Sequence, residues 1–369
     1  MKFICLQENL SPSLNLVSHL AGESKDNLPI LNNLLIEAKK GFLEISSTNL
    51  EIALKTKTRA KIEKQGSITL PAQLLTNYIN SLKKGPIEFS LDKLNMNISG
   101  KQSKAKIIGA PAEDFPIIPQ VKSQKKYKIK SDTLKQGLEK ILFSISPLEN
   151  RIEISGGLMI FNYPKESELT LVGTDSYRLT EKTISLDKSD KNLSKVLVPY
   201  KTLVEVLKMD SNNKEIEITI SENQISFSNQ SLEIISRIIS ADYPDYKEII
   251  PNKSETKLTL KGDDMLNVLR STSLFSEKNV NDVHFEIKQN ENKLLVFSSS
   301  NVGESKSEIN AEIEGKSNKI TFNSKYLIDF LSINKGKEIT AEIIDESCPA
   351  IFRLKDDTSY LYLVMPIKG

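Results

Sequence analysis

The stretch LVGTDSYRLT, from Leu171 to Thr180, places a carboxylate and a guanidinium three residues apart. Asp175 and Arg178 can serve acid–base chemistry, bind an anion or shape a bend. Carboxylates also occur in short clusters, and carboxylates are the side chains that hold divalent ions in enzymes that cut nucleic acid. These clusters are Glu113-Asp114 in EDFP, Asp242 and Asp245 in DYPD, and Asp263-Asp264 in GDD. One candidate function is therefore a metal-dependent enzyme acting on nucleic acid.

Other catalytic arrangements have little support in the sequence. The chain has two histidines, His19 and His284, and it lacks the GxxxxGK[ST], GxGxxG and GxSxG motifs. No carboxylate cluster has the spacing of a calcium-binding loop, so solvated loops and helix caps explain them better. Cys5 and Cys348 lie far apart without a CxxC pattern, which predicts buried free thiols in a reducing compartment. We predict no catalytic residue, no metal site and no cofactor.

Length and composition indicate a multidomain protein without a membrane segment. A chain of 369 residues exceeds what one hydrophobic core supports, so two or three domains are expected. The 50 basic and 48 acidic side chains nearly cancel, so any basic surface must arise from segregation of charge. The N-terminus has no apolar signal region, and the densest apolar run, YLYLVMPI, is as short as a strand. These features predict a cytoplasmic protein.

A weak internal repeat organises the chain. Three times, an alternating strand pattern changes into apolar residues at helical spacing, starting at Lys2, Tyr127 and Lys257. Leu134, Leu138, Ile141 and Leu142 form the apolar helix face of the second copy, and Met265, Leu266 and Leu269 form that of the third. The pairs at 131–132 and 263–264 are candidate helix caps. Each copy therefore opens with a strand followed by an amphipathic helix.

A second helical signal recurs in each copy, followed or preceded by short alternating strands. In the three copies this signal begins at Leu70, Val198 and Phe322. Pro71 and Pro199 suit a first helical turn. Gly85 and Gly336 suit a reversal of the chain after the helix. The first two copies end alike, in GAPAEDFPIIP and ISADYPDYKEIIP. We predict an α+β fold with three repeats of two helices and antiparallel sheets: the first repeat at 1–122, the second at 123–252 and the third at 253–369.

Four segments, in this order and spacing, resemble the bacterial DNA polymerase III β subunit family, the sliding clamps. They are LPILNNLLIEAKKGFLEISSTNLEIAL from Leu28, GTDSYRL from Gly173, DYPDYKEIIP from Asp242 and the terminal YLVMPIKG. The resemblance covers essentially the whole chain. It implies three DNA-clamp domains per chain and a head-to-tail homodimeric ring, with helices around a central hole and sheets outside.

The resemblance also implies a function and partners. Such a ring is a non-catalytic processivity factor that encircles double-stranded DNA without sequence preference and tethers the replicative polymerase during replication. Expected partners are a second copy of the chain, the polymerase α subunit, the clamp loader, and other clamp-motif proteins such as repair polymerases and mismatch repair factors. A peptide-binding scaffold that does not bind DNA is a third candidate function.

Three sets of site residues follow from the resemblance. The peptide-binding groove is expected at Ile154, Thr174, Tyr177, Arg178, Leu179, Pro244, Ile249, Asn323, Tyr326, Pro349, Leu363, Met365, Pro366 and Ile367. The DNA-facing set is Lys25, Lys83, Lys84, Lys135, Lys140, Arg151, Lys201, Lys208, Arg270 and Lys325. The dimer interface is expected at Lys104, Ala105, Ile107, Leu274, Phe275, Glu304 and Glu308.

Two positions depart from the family pattern at the expected groove. Ser176 follows Thr-Asp where the family commonly has glycine, and a positive φ there would cost serine on the order of 1 kcal/mol. Lys247-Glu248 stands where a basic pair is common after DYPDY. We expect Asp175 to shape the turn and Arg178 to anchor the groove. The two departures predict a reshaped loop at Ser176 and a partner affinity tuned differently from that of the family.

Overall fold

The structure is a computed structural model that describes residues 1–22, 28–119, 121, 125–146, 150–190, 192–210 and 214–368. The first repeat contains two helices, α1 (Gln7–Ser18) and α2 (Ala72–Ser81). Its strands are β1 (Lys2–Leu6), β2 (Asn33–Lys39), β3 (Phe42–Thr48), β4 (Ile52–Arg59), β5 (Lys61–Lys64), β6 (Gly66–Pro71), β7 (Pro86–Asp92), β8 (Asn95–Ser99) and β9 (Lys104–Ile108).

The second and third repeats follow the same plan. The helices of the second are α3 (Ser131–Leu142) and α4 (Tyr200–Leu207), and its strands are β10 (Lys125–Lys130), β11 (Gly156–Phe161), β12 (Glu168–Thr174), β13 (Arg178–Ser185), β14 (Ser194–Pro199), β15 (Glu215–Ile220), β16 (Gln224–Ser228) and β17 (Leu232–Arg237). The third contains α5 (Gly262–Thr272) and α6 (Ser324–Ile333). Its strands are β18 (Thr256–Lys261), β19 (Asp282–Lys288), β20 (Lys293–Ser300), β21 (Gly303–Asn310), β22 (Glu312–Gly315), β23 (Asn318–Asn323), β24 (Glu338–Ile343), β25 (Ala350–Leu354) and β26 (Asp357–Val364).

Two antiparallel sheets join one repeat to the next through hydrogen-bonded edge strands. An eight-stranded sheet has the order β10-β15-β16-β17-β4-β3-β2-β6, and a nine-stranded sheet has the order β14-β11-β12-β13-β26-β25-β24-β18-β22. The junctions are the pair β17–β4 and the pair β13–β26, in which Arg178 lies opposite Val364. The backbone amides of these edge strands would otherwise be unpaired, and the two junctions provide their hydrogen-bond partners within the chain.

The two other sheets each belong to one repeat. A five-stranded sheet of the first repeat has the order β5-β1-β7-β8-β9, and a four-stranded sheet of the third has the order β21-β20-β19-β23. The backbone divides into two compact units, 1–132 with 204–238 and 133–203 with 239–369. The repeat boundary predicted at residue 122 lies outside the described residues, and the three-domain boundaries stay a prediction.

The helices bury the apolar faces that the sequence predicts. Leu134, Leu138 and Ile141 in α3 are fully buried, as is Leu269 in α5. Burial of such side chains stabilises a fold by about 1.5–3 kcal/mol each. Cys5 is also buried, which raises the pKa of its thiol to about 11. Within the described ranges, no helix has the length and apolar content needed to cross a membrane.

The helix starts differ from the prediction by one or two residues. The pairs at 131–132 and 263–264 lie inside the first turns of α3 and α5, and the cap of α5 is Lys261 with extended backbone. Pro71 and Pro199 likewise end β6 and β14 directly before a helix. The strands run into the helices without a loop, so the last strand residue takes the cap position. The acidic side chains instead face the positive end of the helix dipole.

An ion pair connects the first repeat to the second inside one compact unit. His19, which caps the C-terminal end of α1, lies with Nε2 2.8 Å from Oε2 of Glu205 in α4. The hydrogen bond to Glu205 raises the pKa of His19. Burial would raise the pKa of Glu205, but hydrogen bonds from His19 and Lys208 outweigh it and lower that pKa. Both shifts favour the charged pair.

We expect His19→Gln to lower the free energy of unfolding by about 0.5–1 kcal/mol near pH 6 and by less near pH 8.5. The range allows for solvent screening of a side chain that is 34% exposed. A raised pKa in the folded state stabilises fully below the unfolded value of about 6.5, and the contribution is lost as pH rises through the folded value. Urea unfolding of both proteins at the two pH values measures the difference. Equal losses of unfolding free energy at both pH values would contradict the assignment of His19 and Glu205 as a charged pair.

Candidate functional site

The turn between β12 and β13 is built by its own side chains. Oδ1 of Asp175 accepts hydrogen bonds from the backbone amides of Tyr177 and Arg178, each at 3.0 Å. The amide of Ser176 donates to Oγ1 of Thr174 at 3.2 Å. These bonds hold Ser176 at φ 80°, a conformation that costs serine about 1 kcal/mol. Asp175 therefore shapes the turn, as predicted, and Ser176 occupies a position suited to glycine.

Arg178 ties this turn to the third repeat. Its Nε donates to Oδ2 of Asp175 at 2.8 Å, and its NH1 donates to Oδ2 of Asp329 in α6 at 2.6 Å. The guanidinium also stands over the ring of Tyr326, 4.5 Å from its centroid. Burial alone would lower the pKa of Arg178, but Tyr362 and the two carboxylates raise it above its ordinary value. Arg178 is thus a permanent cation whose charge is already matched by two carboxylates.

A cavity of about 190 Å³ opens beside this turn. Its floor is formed by buried apolar side chains of the nine-stranded sheet, and its far wall by the segment that leaves the second repeat. Eight of the fourteen predicted groove residues surround it: Ile154, Thr174, Arg178, Leu179, Pro244, Ile249, Leu363 and Met365. The segments that meet here are far apart along the chain. The cavity has the size and lining to hold one apolar side chain.

Five further residues line the cavity that the sequence analysis did not assign to it: Arg151, Ser176, Tyr243, Asp245 and Tyr246. Tyr246 is buried, and its hydroxyl donates to Oε2 of Glu181 at 2.5 Å. Burial and this bond raise the pKa of Tyr246, as burial does for Tyr243, so both rings stay neutral. The aromatic, proline-rich run DYPDY is a sequence signal that could have identified these residues, because aromatic side chains contribute much of the binding energy at interfaces.

The other six predicted groove residues lie along a path from the cavity toward α6. Tyr177 is 62% exposed and stacks on Tyr326 with ring centroids 6.5 Å apart. After β26 the chain continues past these rings: the amide of Met365 donates to the Tyr177 carbonyl at 2.8 Å, and that of Ile367 donates to the Thr321 carbonyl at 2.9 Å. Pro366 accompanies this segment, Asn323 caps α6, and Pro349 precedes β25.

Most of the predicted DNA-facing side chains are exposed. These are Lys83 and Lys84 after α2, Lys201 in α4, Lys208 after α4, Arg270 in α5 and Lys325 in α6. Lys208 forms an ion pair with Glu205 at 2.7 Å. Lys135 in α3 is half-buried. Lys25 lies outside the described residues.

Two of the predicted DNA-facing residues, Lys140 and Arg151, contact other parts of the chain instead. The ammonium of Lys140 donates to the Ile333 carbonyl at 3.3 Å and to the side chain of Asn334, and burial lowers its pKa. It thereby links α3 to the end of α6, so we leave it out of the proposed DNA-facing set. Arg151 lies at the rim of the cavity, with NH1 2.5 Å from Oγ of Ser176 and Nε 3.1 Å from Oε1 of Glu153. We reassign Arg151 to the cavity.

The predicted interface residues lie on or beside the edge strands β9 and β21. On β9, Lys104 is exposed and Ala105 is half-buried, but Ile107 is 4% exposed and belongs to the core. Ile108, which the sequence analysis did not select, points outward at 68% exposure. Because side chains alternate along a strand, Ile108 and not Ile107 is available on the surface of β9, and the interface itself stays a prediction. Leu274, Phe275, Glu304 and Glu308 lie at or next to β21, with Leu274 at 75% exposure.

The carboxylate clusters occupy loops and helix starts. Glu113 and Asp114 are exposed in a single helical turn, Ala112–Asp114, and Asp263 is the second residue of α5. Within the described ranges, no three side chains of His, Cys, Asp or Glu are placed to share a metal ion. The solvated-loop interpretation fits the exposed Glu113 and Asp114, whereas Asp263 and Asp264 lie inside the first turn of α5 and not at its cap.

Comparison with family models covers the chain from end to end. The model of the DNA polymerase III beta subunit N-terminal domain matches residues 1–119, that of the central domain matches 128–245, and that of the C-terminal domain matches 247–368. The Beta sliding clamp of Bacillus subtilis is 27% identical over 382 residues, with both chains covered completely. That of Chlamydia pneumoniae is 26% identical over 373 residues, covering 100% of this chain and 99% of the relative.

Solved structures agree with the sequence comparisons. The crystal structure of the DNA polymerase sliding clamp from Bacillus subtilis has a TM-score of 0.94 at 26% identity and covers 100% of this chain and 99% of that one. A sliding clamp from Bartonella birtlesii bound to griselimycin has a TM-score of 0.92 at 26% identity, with both chains fully covered. The metal-dependent enzyme has no support among these relatives. The chain belongs to the DNA polymerase III beta subunit family, the sliding clamps.

Proposed function

We propose that this chain is a DNA polymerase processivity factor, a ring that encircles duplex DNA and holds the replicative polymerase on it. The observation that carries the proposal is the match of three beta-subunit domain models, in order, to residues 1–119, 128–245 and 247–368. The role is topological and non-catalytic, exercised in the cytoplasm. A closed ring retains DNA without a tight grip and therefore leaves it free to slide.

The free sheet edges support a ring of two copies. The five-stranded sheet ends at β9 and the four-stranded sheet ends at β21. Pairing β9 of one copy with β21 of another would create a nine-stranded sheet, matching the nine-stranded sheet that joins two repeats within the chain. Two such heterologous contacts related by a two-fold axis close a ring and leave none of these edges exposed.

The side chains at these edges are complementary. Ile108 at the end of β9 and Leu274 beside β21 are large, exposed apolar groups of the kind that form an interface core. Lys104 on β9 and Glu304 on β21 carry opposite charges. Phe275 lies close to Gly303 at the start of β21, where a Cβ added to that glycine would be 3.5 Å from the ring. Apolar anchors surrounded by opposite charges favour one specific pairing.

Basic side chains supply the contacts with DNA. We assign this role to Lys83, Lys84, Lys135, Lys201, Lys208, Arg270 and Lys325, with Lys25 in the same set. Single ammonium contacts with phosphates are exchangeable and independent of base sequence, whereas bidentate contacts with base edges would fix the ring at one site. These phosphate contacts weaken steeply with salt, whereas a closed ring stays on the DNA without them.

The cavity beside Arg178 and the path toward α6 form the proposed docking groove for partner peptides. These come from the polymerase α subunit, the clamp loader, repair polymerases and mismatch repair factors. An apolar peptide side chain enters the cavity, while the extended peptide backbone follows the segment from Met365 to Ile367. The flexible thioether of Met365 suits a site that accepts several partners.

Retention on circular DNA tests the proposal. We expect the protein, loaded by a cognate clamp loader, to stay on nicked circular DNA through a high-salt wash and to be lost when the circle is linearised. Salt removes phosphate contacts but cannot remove a closed ring. Gel filtration of labelled protein with each DNA measures the retained fraction. Equal retention on circular and linear DNA would exclude topological linkage.

A further inference from the structure

The two cations at the cavity are already neutralised. The Arg178 guanidinium bridges Asp175 and Asp329, and that of Arg151 contacts Glu153 at 3.1 Å and the Ser176 hydroxyl. An incoming anionic group would have to compete with these carboxylates for both guanidinium groups. The cavity therefore offers little net attraction for an acidic side chain.

The opposite wall carries uncompensated negative charge. This wall includes Asp245, with Tyr246 and Ile249 of the short helix Tyr246–Ile249. Glu248 lies in the same short helix and is exposed beside the cavity, without lining it. Neither Asp245 nor Glu248 has an ion-pair partner in the part of the chain that the structure describes.

Lys247, the cation in this short helix, makes its contacts away from the cavity beside Arg178. Its ammonium donates to Oε2 of Glu181 at 2.6 Å and stands over the rings of Tyr163 and Tyr246, at 5.7 and 5.0 Å from their centroids. There it lines a separate cavity that also contains Arg353. Lys247 therefore does not cancel the charge of Asp245 at the cavity beside Arg178, or that of Glu248 next to the cavity.

We propose that this cavity selects peptides that carry Lys or Arg within three residues of the apolar side chain it binds. The inference rests on the proposed peptide-docking function. A cavity of about 190 Å³ holds one apolar side chain, and an extended peptide advances about 3.3 Å per residue. A basic residue up to three positions away thus stays within about 10 Å of the rim, inside the range of charge attraction at moderate salt. Asp245 and Glu248 supply that attraction.

The test uses three short fluorescein-labelled peptides that end in Leu-Phe and differ in the residue preceding that pair, which is Lys, Ser or Glu. We expect fluorescence anisotropy at low salt to rank their affinities Lys, then Ser, then Glu, with about five- to tenfold between the extremes. The ratio should shrink in about 0.5 M salt, because screening weakens exposed charge interactions.

Charge-reversal variants locate the effect. Glu248→Lys should remove or invert the preference for Lys over Glu while the Ser peptide still binds. The matched control is Glu314→Lys, an equally exposed reversal on β22, four strands from β26 in the same sheet and thus about 19 Å away. We expect the control to keep the wild-type ranking.

The outcomes separate the inference from the function on which it rests. Equal affinity of the three peptides for the wild type would overturn the charge selection and leave the docking groove standing. A preference that persists in Glu248→Lys and Asp245→Asn together would also overturn it. If none of the peptides binds, the groove assignment fails, whereas retention on circular DNA is unaffected.

Discussion

Replacing Leu274 and Phe275 together by alanine is expected to convert the ring into monomers at concentrations where the wild type is dimeric. Leu274 is 75% exposed in the single chain and Phe275 is half-buried, so both have apolar surface left to bury against a partner. Losing both contacts should cost about 3 kcal/mol, or roughly 100-fold in the dimer Kd. Sedimentation velocity over a concentration series measures the change.

Leu193→Ala is the matched control, because Leu193 is also an exposed leucine, at 54%, but lies outside β9, β21 and their flanking residues. It should sediment like the wild type. Loss of dimerisation should also abolish retention on circular DNA, because a monomer cannot enclose it. An unchanged dimer Kd in the double variant would refute the pairing of β9 with β21.

Arg178→Ala is expected to lower the thermal midpoint of unfolding by about 6–10 °C and to weaken peptide binding. The Arg178 side chain is 11% exposed, and its removal leaves the carboxylate of Asp175, a side chain that is 16% exposed, without a cation. Breaking such a largely buried pair costs about 3 kcal/mol, which corresponds to that shift in a unit of about 200 residues. Differential scanning fluorimetry and peptide anisotropy measure the two effects.

Arg178→Lys provides the comparison that isolates geometry from charge. Lysine keeps the positive charge but has no planar fork, so it cannot bond Asp175 and Asp329 at once while stacking on Tyr326. We expect the thermal midpoint of unfolding of Arg178→Lys to lie between those of the wild type and Arg178→Ala. If Arg178→Ala melts like the wild type, the link between the turn and α6 contributes nothing to stability.

Local pattern was enough to predict several elements. The strand-to-helix changes predicted at Lys2, Tyr127 and Lys257 correspond to β1–α1, β10–α3 and β18–α5. They could be predicted because hydrophobic periodicity depends only on residues close together in the sequence. Gly85 and Gly336 adopt the positive φ expected of chain reversal. The role of Asp175 was also local, since it bonds amides two and three residues away.

Strand register was beyond the sequence. The run KAKII contains two adjacent isoleucines, and alternation alone does not tell which one faces the core. The pairing of β9 with β8 places Ile107 opposite Met96, which is buried, and thereby turns Ile108 outward. A shift of one residue exchanges the faces of a strand, and the neighbouring strand decides it.

The sequence by itself determined the three-fold repeat, the alternation of strands and helices, and the resemblance that led to the family. The tertiary structure alone decided how the cavity is assembled, with Arg151, Ser176, Asp245 and Met365 brought together from four separate segments. The tertiary structure also decided that the Lys140 ammonium donates a hydrogen bond at the end of α6 and that the Lys247 ammonium donates one to Glu181. The physical reason is that periodicity and turn chemistry depend on residues a few positions apart, whereas charge pairing and sheet joining depend on contacts between residues distant along the chain.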